Sequence, residues 1–334
     1  MDSREGSSTV LVLVVVLFLS AVAVGAMALI GTSALQVRRR LSQEEIHRQL
    51  AEEAGKVVEQ LGRSAAPDVD AATDPVWTYV AGRRGSGMDL TVEDLSSRLN
   101  LNTVRTELLE KTGLGGLLAP GRSAQELRQL RADKGPFPSI AAYEPFFSPA
   151  VLERDFSVWG YVNLNTSFED VLRAVYGART GDSASAETFQ CAIRGFLSRQ
   201  ELVKKEHLPA LLGLYYPQLY PLMNVEPQMN VNFVPEDVLR AVLSYPYGGK
   251  RIGGCEAACQ AILADRQQRA LTTQYLADTV HAKGEQVLIF QYLGTRTWFW
   301  RIQARAAGRS LEQVVARLPH ETPARFAVLQ DRFQ

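Results

Sequence analysis

The amino-terminal segment restricts the fold of this chain more than any other feature of its sequence. No charged residue occurs from Ser7 to Val37, and the stretch from Val10 to Ile30 is almost entirely apolar. An α-helix rises about 1.5 Å per residue, so roughly 20 apolar residues span the hydrocarbon core of a bilayer. A cleaved secretory signal is the alternative, but its apolar region is usually only about 7–15 residues long. We therefore predict a retained transmembrane segment over residues 7–37.

The charges beside this segment give a first prediction of its orientation. Arg38, Arg39 and Arg40 follow it, whereas the residues before it include both acidic and basic side chains. Basic residues favour the cytoplasmic side of a membrane. By this rule alone, the large carboxy-terminal part would lie inside the cell.

The next segments are predicted from their spacing and composition. Apolar residues recur at helical spacing after the basic residues, which predicts that the helix continues as an amphipathic extension over residues 38–62. Its apolar positions are Leu41, Ile46, Leu50, Val57, Val58 and Leu61. Residues 63–98 are predicted to contain a linker and the first strands of a sheet, with Val76 to Val80 as one of those strands.

Two stretches of the chain nearly repeat each other. VNLNTSFEDVLRAV begins at Val162 and MNVNFVPEDVLRAV begins at Met229, while a weaker copy, LNLNTVRTELLEKTG, begins at Leu99. The similarity of the two stronger copies continues further, since Arg199 in FLSRQEL aligns with Arg266 in ILADRQQRAL. Each repeat is therefore long enough for at least a pair of helices. The copies are predicted near residues 99–113, 160–208 and 227–276 of an inserted α-helical domain, residues 99–284.

Each copy predicts an extended Asn-x-Asn segment, then a capping residue, then a helix. Thr166 with Glu169 three residues later matches the capping-box pattern, in which two side chains satisfy the free N–H groups of a helix start. These interactions at helix starts account for the repeated sequence without any catalytic or binding role. We therefore assign a structural role as repeat caps to Asn100, Asn102, Asn163, Asn165, Thr166, Asn230 and Asn232.

The helices that follow the caps are predicted to share one buried face. Asp170 and Asp237 would lie in the first turn, where they complement the helix dipole. Leu172 and Leu239 occupy equivalent positions on the apolar face. We expect these two leucines to be core residues whose truncation costs similar amounts of stability.

The carboxy-terminal part, residues 285–334, has a different character. In TRTWFWRIQARA, Trp298, Trp300 and Ile302 alternate with Phe299, Arg301 and Gln303. AAGR then supplies a turn and SLEQVVARL returns, which predicts an antiparallel hairpin. This hairpin would close a small sheet whose other strands precede the repeats. The helical repeats would then be an insertion within that sheet, in an α+β fold.

The sequence contains no familiar catalytic motif. It has no phosphate-binding Gly-x-x-x-x-Gly-Lys-Ser/Thr loop, no His-Glu-x-x-His and no Gly-x-Ser-x-Gly. Cys255 and Cys259 would share a helical face, but a zinc site usually needs four ligands in tight pairs. The three cysteines predict buried thiols or one disulfide, and whether Cys191 would pair with Cys255 or Cys259 is left open. We predict that the chain is not an enzyme, and no metal ligand is assigned.

Nucleic-acid binding is the other function that the repeats suggest. Asn-Leu-Asn-Thr followed by a Gly-apolar-Gly turn resembles helix-hairpin-helix modules, and the first copy contains GLGG, Gly113 to Gly116. The second and third copies lack that compact turn. Lys+Arg and Asp+Glu balance at 36 each, whereas proteins that coat nucleic acid usually carry a basic excess. We therefore expect no nucleic-acid partner.

Taken together, these parts resemble the minor pseudopilin K of the type II secretion system, the general secretion pathway protein K family. The resemblance covers nearly the whole chain. It begins with a short polar leader ending in Gly6, an uncharged helix and an amphipathic extension. It continues through RLNLN, YVNLNTSFEDVL with FLSR, and MNVNFVPEDVL with ILADR, and it ends at YLGTRTWFWRIQA.

This resemblance implies a fold, a function and a location. The fold would be a pilin-like long helix packed on a small antiparallel sheet, with a large inserted α-helical domain of helix-hairpin-helix-like repeats. The function would be non-enzymatic: a subunit at the tip of a periplasmic pseudopilus, bound to the minor pseudopilins I and J, that assists export of folded proteins across the outer membrane. The chain would cross the inner membrane once with its carboxy-terminal domain in the periplasm, against the charge rule. The resemblance also raises calcium as a possible cofactor, without naming ligands.

The resemblance further implies amino-terminal processing. Prepilin peptidase would remove the leader, residues 1–6, by cleavage between Gly6 and Ser7, and the new terminus would be methylated. Leu11 stands at the fifth mature position, where most pilin-like proteins carry Glu and the K member typically does not. Two alternatives stay open from the sequence: a membrane-anchored helix-hairpin-helix DNA receptor, and a minor pilin of a type IV pilus.

Overall fold

A long helix, a four-stranded sheet and an array of short helices form an α+β fold. The computed structural model describes residues 4–63, 68–83, 87–167, 169–182, 184–197, 202–213, 216–321 and 324–334. The α-helices are α1 (Arg4–Leu61), α2 (Pro75–Arg83), α3 (Thr106–Glu110), α4 (Ala124–Lys134), α5 (Pro149–Asp155), α6 (Glu169–Thr180), α7 (Ala186–Leu197), α8 (Glu236–Ser244), α9 (Cys255–Asp265) and α10 (Thr273–Val280).

The remaining elements are strands and short turns of other helix types. The strands are β1 (Met88–Asp94), β2 (Leu99–Asn100), β3 (Phe156–Ser157), β4 (Val162–Asn163), β5 (Met223–Asn224), β6 (Met229–Asn230), β7 (Leu293–Gly294), β8 (Phe299–Ala306), β9 (Arg309–Arg317) and β10 (Phe326–Phe333). The 3-10 helices are Gly113–Leu117, Ile140–Tyr143, Lys205–His207, Tyr220–Leu222 and Gly284–Gln291, and Pro209–Gly213 is a short π-helix.

Helix α1 is divided into an exposed part and a packed part. Among the described residues it is the helix long and apolar enough to cross a membrane. Its described apolar side chains from Val16 to Leu41 are exposed, with Leu41 59% accessible, and the first fully buried one is Leu50. Leu41 was predicted as an apolar position of the amphipathic extension, and it stays exposed because the helix extends beyond the sheet at that point.

The second part of α1 packs on the sheet because its apolar residues lie on one stripe. Leu50, Ala54, Val57 and Leu61 follow helical spacing and are buried. They contact the side chains that strand β8 presents at alternate positions, with Trp300 and Ile302 among them. The sequence prediction of one continuous helix that packs on a sheet is confirmed.

The sheet is antiparallel with strand order β1-β8-β9-β10. Strands β8 and β9 form the predicted hairpin, and the turn between them is Ala307–Gly308 with φ values of 49° and 72°. Two consecutive positive φ angles are typical of the turn that matches strand twist in a two-residue hairpin. Strand β1, on one edge, lies within residues 63–98, where the first strands were predicted without these bounds, and β10, on the other edge, was not predicted.

The segment from Val76 to Val80 is a helix and not the predicted strand. Pro75 begins α2, a position where its missing N–H costs nothing. Val76 and Val80 are four residues apart and both face the core between α1 and the sheet. The strand that pairs with β8 is instead β1, at Met88–Asp94.

The short helices form three units inserted between β1 and β8. Each unit begins and ends with a two-residue strand, and the two strands of a unit pair in parallel: β2 with β3, β4 with β5, and β6 with β7. We name the units by these ends as unit 1 (99–157), unit 2 (162–224) and unit 3 (229–294). Each unit is longer than the copy predicted from the sequence. Residues 285–291 were predicted to begin the carboxy-terminal segment. In the structure they belong to the 3-10 helix Gly284–Gln291, which is part of unit 3.

The units differ in how their apolar side chains are buried. Units 1 and 3 share one core, in which Leu109 and Leu239 are both fully buried. Unit 2 has a separate core that contains Leu172, at 4% exposure. The prediction that Leu172 and Leu239 are equivalent core positions agrees with this packing.

Candidate functional site: the repeated asparagine junctions

The first asparagine of each repeat folds the chain into the same tight turn. Its side-chain oxygen accepts a hydrogen bond from the backbone N–H two residues later, as Asn and Asp side chains commonly do in turns. The three bonds join Asn100 to Asn102 at 2.9 Å, Asn163 to Asn165 at 2.8 Å and Asn230 to Asn232 at 3.0 Å. The shared turn explains why asparagine recurs at this position.

The second asparagine holds a distant stretch of backbone within its own unit. Its amide group donates to a carbonyl and accepts from the N–H of the same residue, so it imitates a peptide group in a strand pair. Asn232 bonds Leu271 in this way, at 2.8 Å for the accepted bond and 3.2 Å for the donated one. Asn102 bonds Phe137 and Asn165 bonds Val203 in the same manner.

These bonds differ from the predicted role of helix cap. Helix α3 begins after Arg105 and α8 after Pro235, and neither of these residues makes a side-chain capping bond. The asparagines therefore act one turn earlier in the chain, in the loop that precedes the helix. Thr166 also lies in this loop, and the predicted capping box with Glu169 cannot be described because the Glu169 side chain is outside the described part of the chain.

An arginine reinforces the same loop in two of the units. Arg266 donates to the carbonyl oxygens of Val231 and Val234 through Nη1. Arg131 makes the equivalent bonds in unit 1, to Leu101 and Val104. Arg199, the aligned residue of unit 2, is outside the described residues. The sequence comparison missed Arg131 because unit 1 has a shorter segment between its loop and this arginine.

In units 2 and 3 the side-chain nitrogen of the first asparagine bonds groups outside its unit, whereas Asn100 Nδ2 of unit 1 is buried without a hydrogen bond. Asn163 Nδ2 donates to the carbonyl of Glu226, 2.9 Å away, and to that of Gln291 in unit 3. Asn230 Nδ2 donates to the carbonyl of Asp70 at 2.7 Å and to the Thr297 hydroxyl at 3.0 Å. Unit 2 is thus joined to unit 3, and unit 3 to the segments beside the sheet.

A buried polar cluster completes the connection to the sheet. The Asp70 carboxylate accepts two hydrogen bonds from the Arg317 guanidinium, at 2.8 and 2.9 Å, and one from the Thr297 N–H at 2.7 Å. The Thr297 hydroxyl donates to Asp94 at 2.7 Å. Burial raises the pKa of Asp94 to about 6, although hydrogen bonds from Ser97, Thr297 and Ser96 oppose that rise.

The arrangement is suited to holding shape. Asparagine amides, an arginine and a buried ion pair satisfy backbone and charged groups that would otherwise be costly to bury. Within the described ranges, no group of three or more His, Cys, Asp or Glu side chains could hold a metal ion, so no calcium ligand is assigned. The three cysteines are free: Cys191 is exposed, Cys255 half-buried and Cys259 buried.

Two further predicted features can be placed in the structure. Gly6 and Ser7 lie within α1, and nothing is described of their side chains. The Gly-rich stretch of unit 1 forms the 3-10 helix Gly113–Leu117, whose Leu114 is buried in the core shared with unit 3. This stretch therefore contributes to packing between units.

Comparisons with known proteins give a likeness among solved structures. No protein-family model matches the chain, and no curated protein matches it. Among solved structures, the chain is similar to a chain of the GspK-GspI-GspJ complex from the enterotoxigenic Escherichia coli type 2 secretion system. The likeness covers 89% of this chain and 99% of that chain, with 16% sequence identity and a TM-score of 0.36.

Proposed function

We propose that this protein is a non-enzymatic, membrane-anchored subunit of a pilin-like assembly, with the role of a minor pseudopilin K at the tip of a type II secretion pseudopilus. The observation that carries the proposal is the division of α1. Its first part is apolar, and the side chains described there are exposed, whereas its second part packs against a four-stranded antiparallel sheet. A single helix that serves both as anchor and as core is the design expected of a pilin-like subunit.

The inserted units fit a mechanical role at a filament tip. Units 2 and 3 and the sheet are joined by buried hydrogen bonds and by the Asp70–Arg317 pair, and unit 1 is joined to unit 2 by the bond from Arg131 to Asp170. Buried polar networks rigidify a fold where their groups are hydrogen-bonded. In this proposal the units form a stiff head that contacts the minor pseudopilins I and J and assists the export of folded proteins across the outer membrane.

Co-purification tests the partners directly. Full-length protein is expressed in its own cells with an affinity tag at Gln334, the membranes are solubilised in mild detergent, and the bound proteins are identified by mass spectrometry. We expect the minor pseudopilins I and J of the same system to be recovered. Recovery of type IV pilus minor pilins instead would assign the chain to a pilus, and recovery of neither group would contradict the proposal.

The proposed location is the inner membrane, with residues 63–334 in the periplasm. A fusion of alkaline phosphatase to the carboxy-terminus is expected to be active, because this enzyme folds only outside the cytoplasm. A fluorescent cytoplasmic reporter at the same position should stay dark. The reverse pair of results would contradict the orientation and would support the prediction from Arg38–Arg40 alone.

The proposed processing is cleavage between Gly6 and Ser7 by prepilin peptidase, followed by methylation. Mass spectrometry of the native amino-terminus is expected to begin at methylated Ser7. Gly6→Leu should block cleavage, whereas the matched control Gly31→Leu should not, since a side chain at Gly31 meets no other atom within 4 Å. An intact Met1 terminus in the wild type would exclude pilin-type processing.

A further inference from the structure

Three consecutive arginines encircle helix α1 near the end of its exposed apolar part. Arg38, Arg39 and Arg40 are helical and exposed. An α-helix turns about 100° per residue, so three successive side chains point in three different directions around its axis. We call this group the arginine collar.

The collar is separate from the folded part of the molecule. Val37 and Leu41, on either side of it, are 55% and 59% exposed. Leu50 is the first fully buried leucine. It follows Arg40 by ten residues, which is roughly 15 Å along the helix axis at 1.5 Å per residue. The collar therefore lies between the apolar anchor and the folded domain, and it is exposed rather than packed against the domain core.

The acidic residues described after the collar form no ion pair with it, although the exposed Glu44 lies one helical turn after Arg40. Glu45 is engaged by Arg48, with 2.7 Å between its Oε1 and Arg48 Nη2. Glu52 is approached by Arg48 and Lys56. Within the described part of the chain, no ion pair forms with Arg38, Arg39 or Arg40. Three guanidinium groups are thus available to an external anion.

The position of the collar along α1 matches the headgroup layer of a bilayer. Val10 to Ile30 covers roughly 30 Å, which is the thickness of the hydrocarbon core, and Arg38 follows about 12 Å later. Helical side chains slant toward the amino-terminus, and long arginine side chains extend further in that direction. The guanidinium groups therefore reach back from the collar to the depth of the phosphates.

We propose that the arginine collar binds the phosphate groups of anionic phospholipids and fixes the depth of α1 in the membrane. The proposal rests on the membrane anchoring proposed above and is independent of the secretion role. Guanidinium groups bind phosphate oxygens in pairs, which suits arginine better than lysine for this contact. Because the collar is exposed, salt will weaken the interaction.

The test measures which lipids the full chain retains. Protein is reconstituted into bilayers of phosphatidylcholine and phosphatidylglycerol in a fixed ratio, extracted in mild detergent, and the co-purified lipids are quantified by mass spectrometry. Each basic group near an anionic surface strengthens binding on the order of fivefold. We therefore expect the retained lipid to be several-fold enriched in phosphatidylglycerol over the bilayer, and less so at high salt.

A matched pair of variants tests whether the enrichment comes from the collar. R38Q/R39Q/R40Q should abolish the enrichment. R173Q/R179Q/R251Q removes the same charge from exposed positions on units 2 and 3 and should leave the enrichment unchanged. If the collar variant fails to insert, the three single Gln substitutions are used instead, and each should lower the enrichment by a similar step.

The possible failures are distinguishable. Release of the wild-type protein from membranes by alkaline carbonate would overturn both the anchoring and the collar proposal. A wild type that stays in the membrane without enriching phosphatidylglycerol would overturn the collar proposal alone. Equal loss of enrichment in the collar variant and in its matched control would also overturn it, because the effect would then follow net charge.

Discussion

Units 2 and 3 carry nearly the same sequence but lie in different surroundings. Both have the Asn-x-Asn loop, and in both the second asparagine holds a backbone segment more than 35 residues away. Unit 3 shares its apolar core with unit 1 and contacts the segments beside the sheet, whereas unit 2 has a core of its own. The repeated sequence thus determines the fold of each unit, and residues outside the repeat determine what each unit packs against.

The first asparagine shows this difference most clearly. Asn230 is fully buried, and its amide is held by Asp70 and Thr297, which belong to the cluster beside the sheet. Asn163 is also buried, but its amide bonds Glu226, in the link between units 2 and 3, and Gln291 of unit 3. If context decides the contribution of a repeated residue, substitutions at unit 3 and its cluster should cost more than the same substitutions at unit 2. The predictions below refer to residues 42–334, which lack the exposed apolar part of α1.

The largest effect is expected where the cluster beside unit 3 loses a charge. Asp70→Asn keeps the backbone carbonyl that Asn230 and Asn232 use but leaves Arg317 without its carboxylate. Removing one partner of a buried ion pair typically costs about 3–5 kcal/mol. Urea unfolding should show a loss of this size. Glu236→Gln, at a largely exposed pair with Arg240 in unit 3, is the control and should change little.

The distribution of this loss would test the comparison itself. Hydrogen exchange of the Asp70→Asn variant should lose protection in unit 3 and the sheet before unit 2. Uniform loss of protection over all three units would show that they unfold as one body. The difference in surroundings would then have no energetic consequence.

The next largest effect is expected from the two equivalent leucines. Leu239→Ala and Leu172→Ala each remove a buried side chain, which typically costs about 2–5 kcal/mol. Leu239 is fully buried in the core shared by units 1 and 3, and Leu172 is slightly exposed in the smaller core of unit 2. We expect Leu239→Ala to cost more in urea unfolding. Equal costs would favour the simpler expectation from sequence, in which the repeat alone sets the contribution of each residue.

The third effect is a dependence on pH that belongs to the cluster beside unit 3. Burial raises the pKa of Asp94 from 3.8 to about 6. Between these values the folded state holds a proton that the unfolded state has released, so stability should fall as the pH rises from about 4 to about 6. The difference corresponds to on the order of 3 kcal/mol. Asp94→Asn should flatten this part of the profile, measured by urea unfolding at several pH values.

A matched substitution separates Asp94 from other acidic groups. Asp237→Asn, at the partly exposed first turn of α8, should leave the profile of the wild type in place. An Asp94→Asn profile that still falls between pH 4 and 6 would assign the dependence to another buried carboxyl, with Asp70 as the nearest candidate.

The sequence predicted the parts of the fold that depend on local periodicity. The uninterrupted helix α1, the β8–β9 hairpin with its turn at Ala307–Gly308, and the insertion of helices within the sheet all follow from spacing and turn residues. Strand β1 was not located within residues 63–98, although MDLTVED alternates apolar and polar residues as a strand does. Val76–Val80 was assigned to a strand because β-branched and aromatic residues fit both types of element. In the structure, tertiary burial of Val76 and Val80 on one helical face decides between them.

The candidate site was predicted only in part, for a physical reason. The asparagines could be found because they recur, and their structural role was the stated expectation. Their partners could not be found, because Asn230 bonds Asp70 and Thr297 across long stretches of chain. Such contacts leave no periodic signal. Arg131 did leave a signal, since it lies between the Asn-x-Asn loop and its distant partner Phe137, as Arg266 does before Leu271, but the different spacing concealed it.

The smallest effect, and the closest comparison, is expected from the first asparagines themselves. Asn230→Ala removes the turn bond to Asn232 and the bonds to Asp70 and Thr297, all at a fully buried position. Asn163→Ala removes its own turn bond, a short bond to Glu226 and a longer bond to Gln291 at 3.3 Å. A hydrogen bond typically contributes about 0.5–1.5 kcal/mol, so the lower end of that range gives about 1.5 kcal/mol for the three bonds of Asn230 and about 1 kcal/mol for the two short bonds of Asn163. We expect about 1.5 kcal/mol for Asn230 and about 1 kcal/mol for Asn163 in urea unfolding.

If both variants kept the stability of the wild type but lost the minor pseudopilin partners in the co-purification above, the asparagines would form a recognition surface. A larger loss at Asn163 than at Asn230 would instead show that the contacts to the sheet do not stabilise unit 3.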